Sequence, residues 1–178
     1  MNILLSPHQD DEILFTCYTL LRERPKVIFI TDSYTQWNRG DGITAEQRNK
    51  ESRNALDFLG IEYEFLGLRD DEITEQTLHA ALEDIYGVDK CYSPAFEIGG
   101  NPIHNLVSRV ADVFFDCTHY MTYSGSSHKT KGSVIITPTS VEKALKRTAL
   151  TFYPSQSNLR STACFFNHPE VLEWESYE

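Results

Sequence analysis

Near the start of the chain, a histidine is followed three residues later by an aspartate, with a second aspartate between them. The stretch reads Ser6-Pro7-His8-Gln9-Asp10-Asp11-Glu12. A neutral imidazole and a carboxylate at i and i+3, set across a strand-to-helix turn, can converge on one metal ion, and zinc accepts such mixed nitrogen and oxygen ligation. A catalytic zinc usually has three protein ligands and one open position, so His8 and Asp11 require a third ligand from elsewhere in the chain. Asp10 cannot easily share the same ion and is available as a base. The competing explanation is structural: acidic residues favour the first turn of a helix, and aspartate is a good N-cap. Asp70-Asp71-Glu72 repeats the acidic triplet with no histidine ahead of it. The first copy is therefore distinguished by His8 and by its place at the end of a strand.

The elements that must position these residues follow from hydrophobic periodicity. Asn2–Ser6 reads as a buried strand, and Asp11–Glu23 as a helix with Leu14, Cys17, Tyr18 and Leu21 at helical spacing. Lys26–Thr31 (KVIFIT) is rich in β-branched residues and reads as a second buried strand. After a polar loop over Asp32–Ile43, Thr44-Ala-Glu-Gln47 has capping-box spacing and opens a helix that stops at Gly60. Ile61–Leu66, Val88–Tyr92, Cys117–Tyr123 and Val134–Thr137 read as further strands. Between and after them Glu75–Tyr86, Pro102–Phe114 and Pro138–Ala149 read as helices, and the remaining tail has no strong period. Strands alternating with helices of this length predict an α/β three-layer α/β/α sandwich with a mainly parallel, Rossmann-like sheet. The absence of repeats and of Pro/Gly-rich linkers makes 1–178 a single expected domain. In such sheets the ligand crevice lies beyond the carboxyl ends of the strands, where the residues after Ser6, Thr31, Leu66 and Tyr92 should gather.

Composition narrows the function classes. The chain has 178 residues, a formal net charge of −10 and a pI near 5.0. That charge disfavours nucleic acid and anionic membranes as partners and suits a neutral or cationic small substrate. No stretch approaches the ~18 apolar residues of a membrane span. Met1-Asn2-Ile3-Leu4-Leu5 is too short and lacks the basic start of a signal peptide. Cys17, Cys91, Cys117 and Cys164 are far apart with no CxxC pattern, so reduced thiols in a cytoplasmic protein are expected. Gly-x-Gly-x-x-Gly is absent after the first strand, and Gly-x-Ser-x-Gly is absent throughout. These absences argue against a dinucleotide enzyme and a serine hydrolase. The Ser124–Gly132 loop fails the Walker A spacing.

His8-Gln-Asp-Asp-Glu12 directly after a short N-terminal strand resembles the His-Pro-Asp-Asp-Glu signature of the PIG-L/LmbE-like N-acetylglucosaminyl deacetylase family. Further stretches match in order: Arg48-x-x-Glu51-x-x-x-Ala55 with Leu59-Gly60; Leu66-Gly67-Leu68-Arg69-Asp70; Asn101-Pro102-Ile103-His104 in the place of the family's His-Pro-Asp-His; and Tyr153-Pro154-Ser155-Gln156. The resemblance implies the same fold and a zinc-dependent N-deacetylase. It implies zinc ligands at His8, Asp11 and His104, a general base at Asp10, and sugar contacts from Arg48 and Asp70. Without it, Arg48 and Glu51 would read as a surface ion pair on a helix, and His104 as a helix-start histidine donating to backbone. The implied partner is a small N-acetylated sugar or glycoconjugate. The implied cofactor is Zn2+, with another divalent ion such as Fe2+ also compatible.

Two positions depart from the pattern. Asn101 stands where the family has a histidine that helps stabilise the oxyanion or the leaving group; an amide donates a hydrogen bond but carries no charge and transfers no proton. Ile103 replaces a carboxylate of the kind that orients metal ligands. His119 and His128 are the alternative sources of an imidazole. Besides a sugar deacetylase, two readings stay open: a zinc amidohydrolase on a non-sugar N-acyl compound, and a catalytically weak metal-containing protein that recognises a glycoconjugate.

Overall fold

The structure, a computed structural model, describes residues 1–34, 40–122, 134–156 and 170–173. The apolar run Asn2–Ser6 forms β1 and KVIFIT at Lys26–Thr31 forms β2, both with the bounds the sequence predicts. The other strands are β3 (Tyr63–Leu68), β4 (Lys90–Pro94), β5 (Cys117–Tyr120), β6 (Val134–Ile136) and β7 (Glu170–Glu173). The helices are α1 (Asp11–Leu14), α2 (Cys17–Glu23), α3 (Ala45–Leu59), α4 (Glu75–Leu82), α5 (Pro102–Phe114) and α6 (Ser140–Leu150), with a 3-10 turn at Pro154–Gln156.

One sheet of seven strands runs in the order β3-β2-β1-β4-β5-β7-β6. Its first five strands are mutually parallel, and β7 is antiparallel to both neighbours. The fold is thus the predicted α/β sandwich with a mainly parallel sheet. Strand order reverses between β1 and β4. In doubly wound sheets that switch point opens a crevice beyond the carboxyl ends of the two strands. His8 follows β1, and His104 follows β4.

Two apolar cores lie on opposite faces of the sheet. Leu78 and Leu82 of α4 and Val107, Val110 and Ala111 of α5 pack on Ile3, Leu5, Ile28 and Ile30. On the other face Ile13, Leu20, Ala55, Leu56, Ala149 and Leu150 pack on Leu4, Val27 and Phe29. Each fully buried aliphatic side chain contributes roughly 1.5–3 kcal/mol. β1 and β2 are thus buried on both faces, as parallel strands covered by helices are.

Several boundaries differ from the sequence reading. The single helix expected over Asp11–Glu23 is broken at Phe15 and Thr16 into α1 and α2. The Thr16 hydroxyl donates to Glu12 O at 2.9 Å and Lys146 Nζ to Leu14 O at 2.6 Å, so side chains satisfy carbonyls that a continuous helix would use. Glu170, in a strand the sequence did not reveal, accepts from the amides of Tyr18 at 2.6 Å and Thr19 at 2.8 Å at the start of α2. β3 and β4 each begin two residues later than predicted, and α4 ends at Leu82 rather than Tyr86, since no buried helical position follows Leu82. α3 does end at Gly60, whose φ of 65° is the left-handed conformation that glycine adopts without strain. Among the described residues no helix is long and apolar enough to cross a membrane. Cys17, Cys91 and Cys117 are unpaired thiols, and Cys164 lies outside the described residues.

Candidate metal and catalytic site

The turn after β1 is fastened before any ligand is considered. Ser6 Oγ donates to His8 O at 2.8 Å. Pro7 O lies 3.1 Å from Thr31 N and 2.9 Å from Thr31 Oγ1, and the His8 amide donates to Asp11 Oδ2 at 3.0 Å. His104 arrives in the first turn of α5. Pro102 pre-sets that turn, and Asn101 caps it by accepting from Ile103 N at 2.8 Å. The loop before α5 is clamped as well: Asn105 bonds both backbone groups of Glu97, whose carboxylate accepts from Thr122.

These elements bring together His8 Nδ1, Asp11 Oδ2 and His104 Nε2. The separations are 3.3 Å from His8 to Asp11, 3.1 Å from His8 to His104 and 3.0 Å from His104 to Asp11. Zinc–ligand bonds of about 2.0–2.2 Å in a tetrahedron put ligand atoms about 3.3–3.6 Å apart. The observed triangle matches within a few tenths of an ångström. Two imidazole lone pairs and a carboxylate turned toward one point call for a cation. Without a metal a proton serves: burial alone would lower the His8 pKa, but Asp11 and Asp70 outweigh it and raise it to about 10. Burial likewise opposes ionisation of Asp11, yet His104 and His8 hold it below the usual carboxylate range. The donor set thus fits a divalent ion bound by three protein ligands.

Asp10 stands beside this triangle as the N-cap of α1, with a φ of 129° that non-glycine residues rarely adopt. Backbone in such a region costs about 1–3 kcal/mol and persists only where its surroundings hold it. Here Glu12 Oε2 accepts from Asp10 N at 2.9 Å, while Asp10 O accepts from the amides of Ile13 and Leu14 at 3.0 and 2.8 Å. Burial pushes the Asp10 pKa up to about 6, against the pull of Arg48. Arg48 Nη2 is 3.2 Å from Asp10 Oδ2 and also donates to Gln9 O. Burial raises Glu12 further, to about 8, and its other oxygen accepts from Tyr153 Oη.

Arg48 and Glu51 form no surface pair. Both are buried, 3.7 Å apart, and Glu51 accepts from Ser155 N at 2.9 Å and Ser155 Oγ at 2.5 Å. The Tyr-Pro-Ser-Gln segment therefore closes over the helix that carries Arg48. Asp70 Oδ1 lies 2.8 Å from His8 Nε2. Ile103 packs with the core under α5, and His104 Nδ1 is buried with no hydrogen-bond partner among the described residues. His119 is occupied elsewhere: its Nε2 is 3.1 Å from Asp112, two turns of α5 beyond His104, and its Nδ1 is 3.2 Å from Pro94 O. His128 and the Ser124–Gly132 loop lie outside the described residues. Sequence reasoning missed the supporting roles of Gln9 and Glu12. Gln9 ties the turn to α3 and β2 by donating to Asn49 Oδ1 at 2.8 Å and Thr31 O at 2.9 Å. Glu12 was visible only as the last letter of the acidic triplet.

The PIG-L family profile, described as GlcNAc-PI de-N-acetylase, matches residues 3–124. The chain belongs to that family. It is accordingly an enzyme of the deacetylase class, a hydrolase of carbon–nitrogen amide bonds. No curated protein sequence matches this PIG-L family member. Among solved structures, it is similar to a triple mutant of the deacetylase Orf2 from the teicoplanin biosynthetic pathway, at 16% identity over 97% of this chain and 96% of that one, with a TM-score of 0.74. The A40926 pseudoaglycone deacetylase Dbv21 aligns at 14% identity over 98% of each chain, TM-score 0.72. N,N'-diacetylchitobiose deacetylase from Pyrococcus horikoshii aligns at 17% identity over 96% of this chain and 82% of that one, TM-score 0.64. At these identities the structural likenesses establish the fold, and the family profile establishes the membership.

Proposed function

We propose that this PIG-L family member removes an N-acetyl or related N-acyl group from an N-acetylglucosamine-like sugar or glycoconjugate, with zinc held by His8 Nδ1, Asp11 Oδ2 and His104 Nε2. The observation that carries the reading is the convergence of those three atoms at the switch point of the sheet, with a second carboxylate, Asp10, beside them and not needed as a ligand. Another divalent ion such as Fe2+ would suit the same donors. When bound, the ion supplies a Lewis acid that makes water a nucleophile near neutral pH.

The chain's own residues do the rest. Asp10 takes a proton as water adds to the amide carbonyl. The carboxylic acid so formed is a stronger acid than the ammonium group of an amine product, so the transfer to nitrogen runs downhill. Asp10 then gives that proton to the departing nitrogen as the carbon–nitrogen bond breaks, because an amide anion is a very poor leaving group. Products are acetate and the free amine. Arg48 fixes the Asp10 carboxylate in place. Asn101 spends its side-chain oxygen on the helix cap, which leaves its Nδ2 as the group to donate toward the developing oxyanion.

The relatives' names, with teicoplanin and diacetylchitobiose among them, support a sugar-bearing substrate. The net charge of −10 favours a neutral or cationic one. Unpaired thiols at the described cysteines support a cytoplasmic setting. Asn101 is the one observation favouring a weak catalyst that mainly binds its glycoconjugate. Acetate release from a panel of N-acetylglucosamine, diacetylchitobiose and N-acetyl amines without a sugar tests the proposal. Turnover confined to the sugars supports it. Turnover of only the non-sugar amides replaces the substrate class, and binding without acetate release supports the weak-catalyst reading.

A further inference from the structure

The two histidines of the site are held differently. His8 offers Nδ1 to the triangle, and its far nitrogen, Nε2, lies 2.8 Å from Asp70 Oδ1. His104 offers Nε2, and its far nitrogen is buried with no hydrogen-bond partner among the described residues. Asp70 is itself held in place. Thr31 Oγ1 lies 3.1 Å from its Oδ1, and Asp32 Oδ1 accepts from its backbone amide at 3.1 Å. Both come from the end of β2, the strand next to β1, so the sheet sets the spacing between Asp70 and the His8 turn. The Asp70 side chain is only 12% exposed.

We infer that Asp70 is a positioning residue for the metal ligand His8, and that His8 is the strongly oriented histidine of the site and His104 the weakly oriented one. The inference rests on the proposed metal site and assigns Asp70 a job other than the sugar contact that the family resemblance implies. The physical argument is about tautomers. A neutral imidazole carries one N–H, and only the other nitrogen can ligate. A carboxylate oxygen at 2.8 Å from Nε2 keeps the proton there, which frees the Nδ1 lone pair for the ion, fixes the ring plane and makes the ligand more basic. His8 and Thr31 both face Oδ1, so a sugar hydroxyl would have to displace them there or turn to Oδ2. Among the described residues no such partner orients His104. Ile103, beside it in sequence, is apolar and packs on the core under α5.

Zinc affinity, measured by competition with a chromogenic chelator, reads this directly and does not depend on turnover. Loss of a carboxylate partner of this kind typically weakens metal binding 10- to 100-fold. Asp70→Ala should fall in that range. Asp70→Asn should lie between it and the wild type, because the carboxamide oxygen still accepts from Nε2–H. In the zinc-loaded wild type, nitrogen-15 spectra should show the His8 Nε2–H protected from exchange and shifted downfield, a result that needs no variant to fold. Unchanged zinc affinity in Asp70→Ala together with a raised KM would return Asp70 to substrate contact and overturn the inference. So would a freely exchanging His8 Nε2–H in the loaded wild type. If the wild type itself binds no divalent ion, the metal reading fails and this inference falls with it. That outcome is distinguishable from failure of the Asp70 assignment alone.

Discussion

Replacing Asp10 with asparagine separates function from stability, and the structure gives a sign and a size for each. The substitution keeps shape and the ability to accept a hydrogen bond from Arg48, but it cannot accept a proton. Removing a general base commonly costs ~100- to 10,000-fold, equivalent to about 3–5 kcal/mol of barrier. Asp10 is not needed for the ligand triangle, so the variant should keep its metal. Burial raises the Asp10 carboxyl from 3.8 to about 6, which means that the folded state penalises the ionised form by roughly 3 kcal/mol. In metal-free protein the folded state therefore holds a proton that the unfolded chain has already released, and stability falls as pH rises from about 4 to about 6. The neutral amide avoids that penalty. Asp10→Asn should accordingly be at least as stable as the wild type in urea at pH 7.5 after chelation, while acetate release by the reconstituted enzyme falls at least a hundredfold. The assays are metal content, urea unfolding with and without chelator, and turnover. Retained activity with full metal would remove Asp10 as the base. Lost metal in a folded variant would mean that Asp10 and Asp11 have exchanged roles.

Other substitutions probe the remaining claims. His104→Ala should lose most bound metal by elemental analysis with its fold intact by circular dichroism; full occupancy would exclude His104 as a ligand. Asn101→His should cost about 1 kcal/mol of stability through the lost cap, and should raise turnover or shift its pH profile by supplying an imidazolium near the oxyanion. An unchanged rate and profile would leave Asn101 with its capping role alone. Burial raises Glu170 to about 7 despite Lys146 at 4.0 Å, so its folded pKa lies above its unfolded value. Metal-free stability should then fall between pH 5 and 7, by up to roughly 3 kcal/mol from this group. Glu170→Gln should flatten the fall, and an unaltered slope would show that Glu170 is ionised throughout.

How much of this was legible in the sequence depends on the range of the forces involved. β1, β2, α3 and α5 declare themselves because local pattern and cap chemistry agree: β-branched runs for the strands, Thr44 and Gly60 for α3, and Pro102 behind Asn101 for α5. His8 and Asp11 were readable as a pair because both lie in one turn, and the family resemblance supplied His104 from nearly a hundred residues away. What stayed hidden depends on partners remote in sequence. The break between α1 and α2 exists because Lys146 and Glu170 satisfy backbone groups there, and neither can be assigned from the pattern around Thr16. β7 pairs through four residues, too few to show a period. Arg48 and Glu51 have the spacing of an ordinary helical ion pair; the Ser155 segment over Glu51 and the Gln9–Asp10 turn against Arg48 make the pair buried. The link from Asp70 to His8 is likewise a consequence of β1 and β3 flanking β2, which sequence order does not reveal.

The central claim is that one divalent ion sits on His8, Asp11 and His104, and anomalous diffraction at the zinc edge from zinc-loaded crystals tests it most directly. The account predicts a single strong peak about 2.0–2.2 Å from His8 Nδ1, Asp11 Oδ2 and His104 Nε2, with Asp10 outside bonding distance. A peak bound by Asp10 in place of Asp11, or none at this turn in protein that has taken up zinc elsewhere, would contradict it.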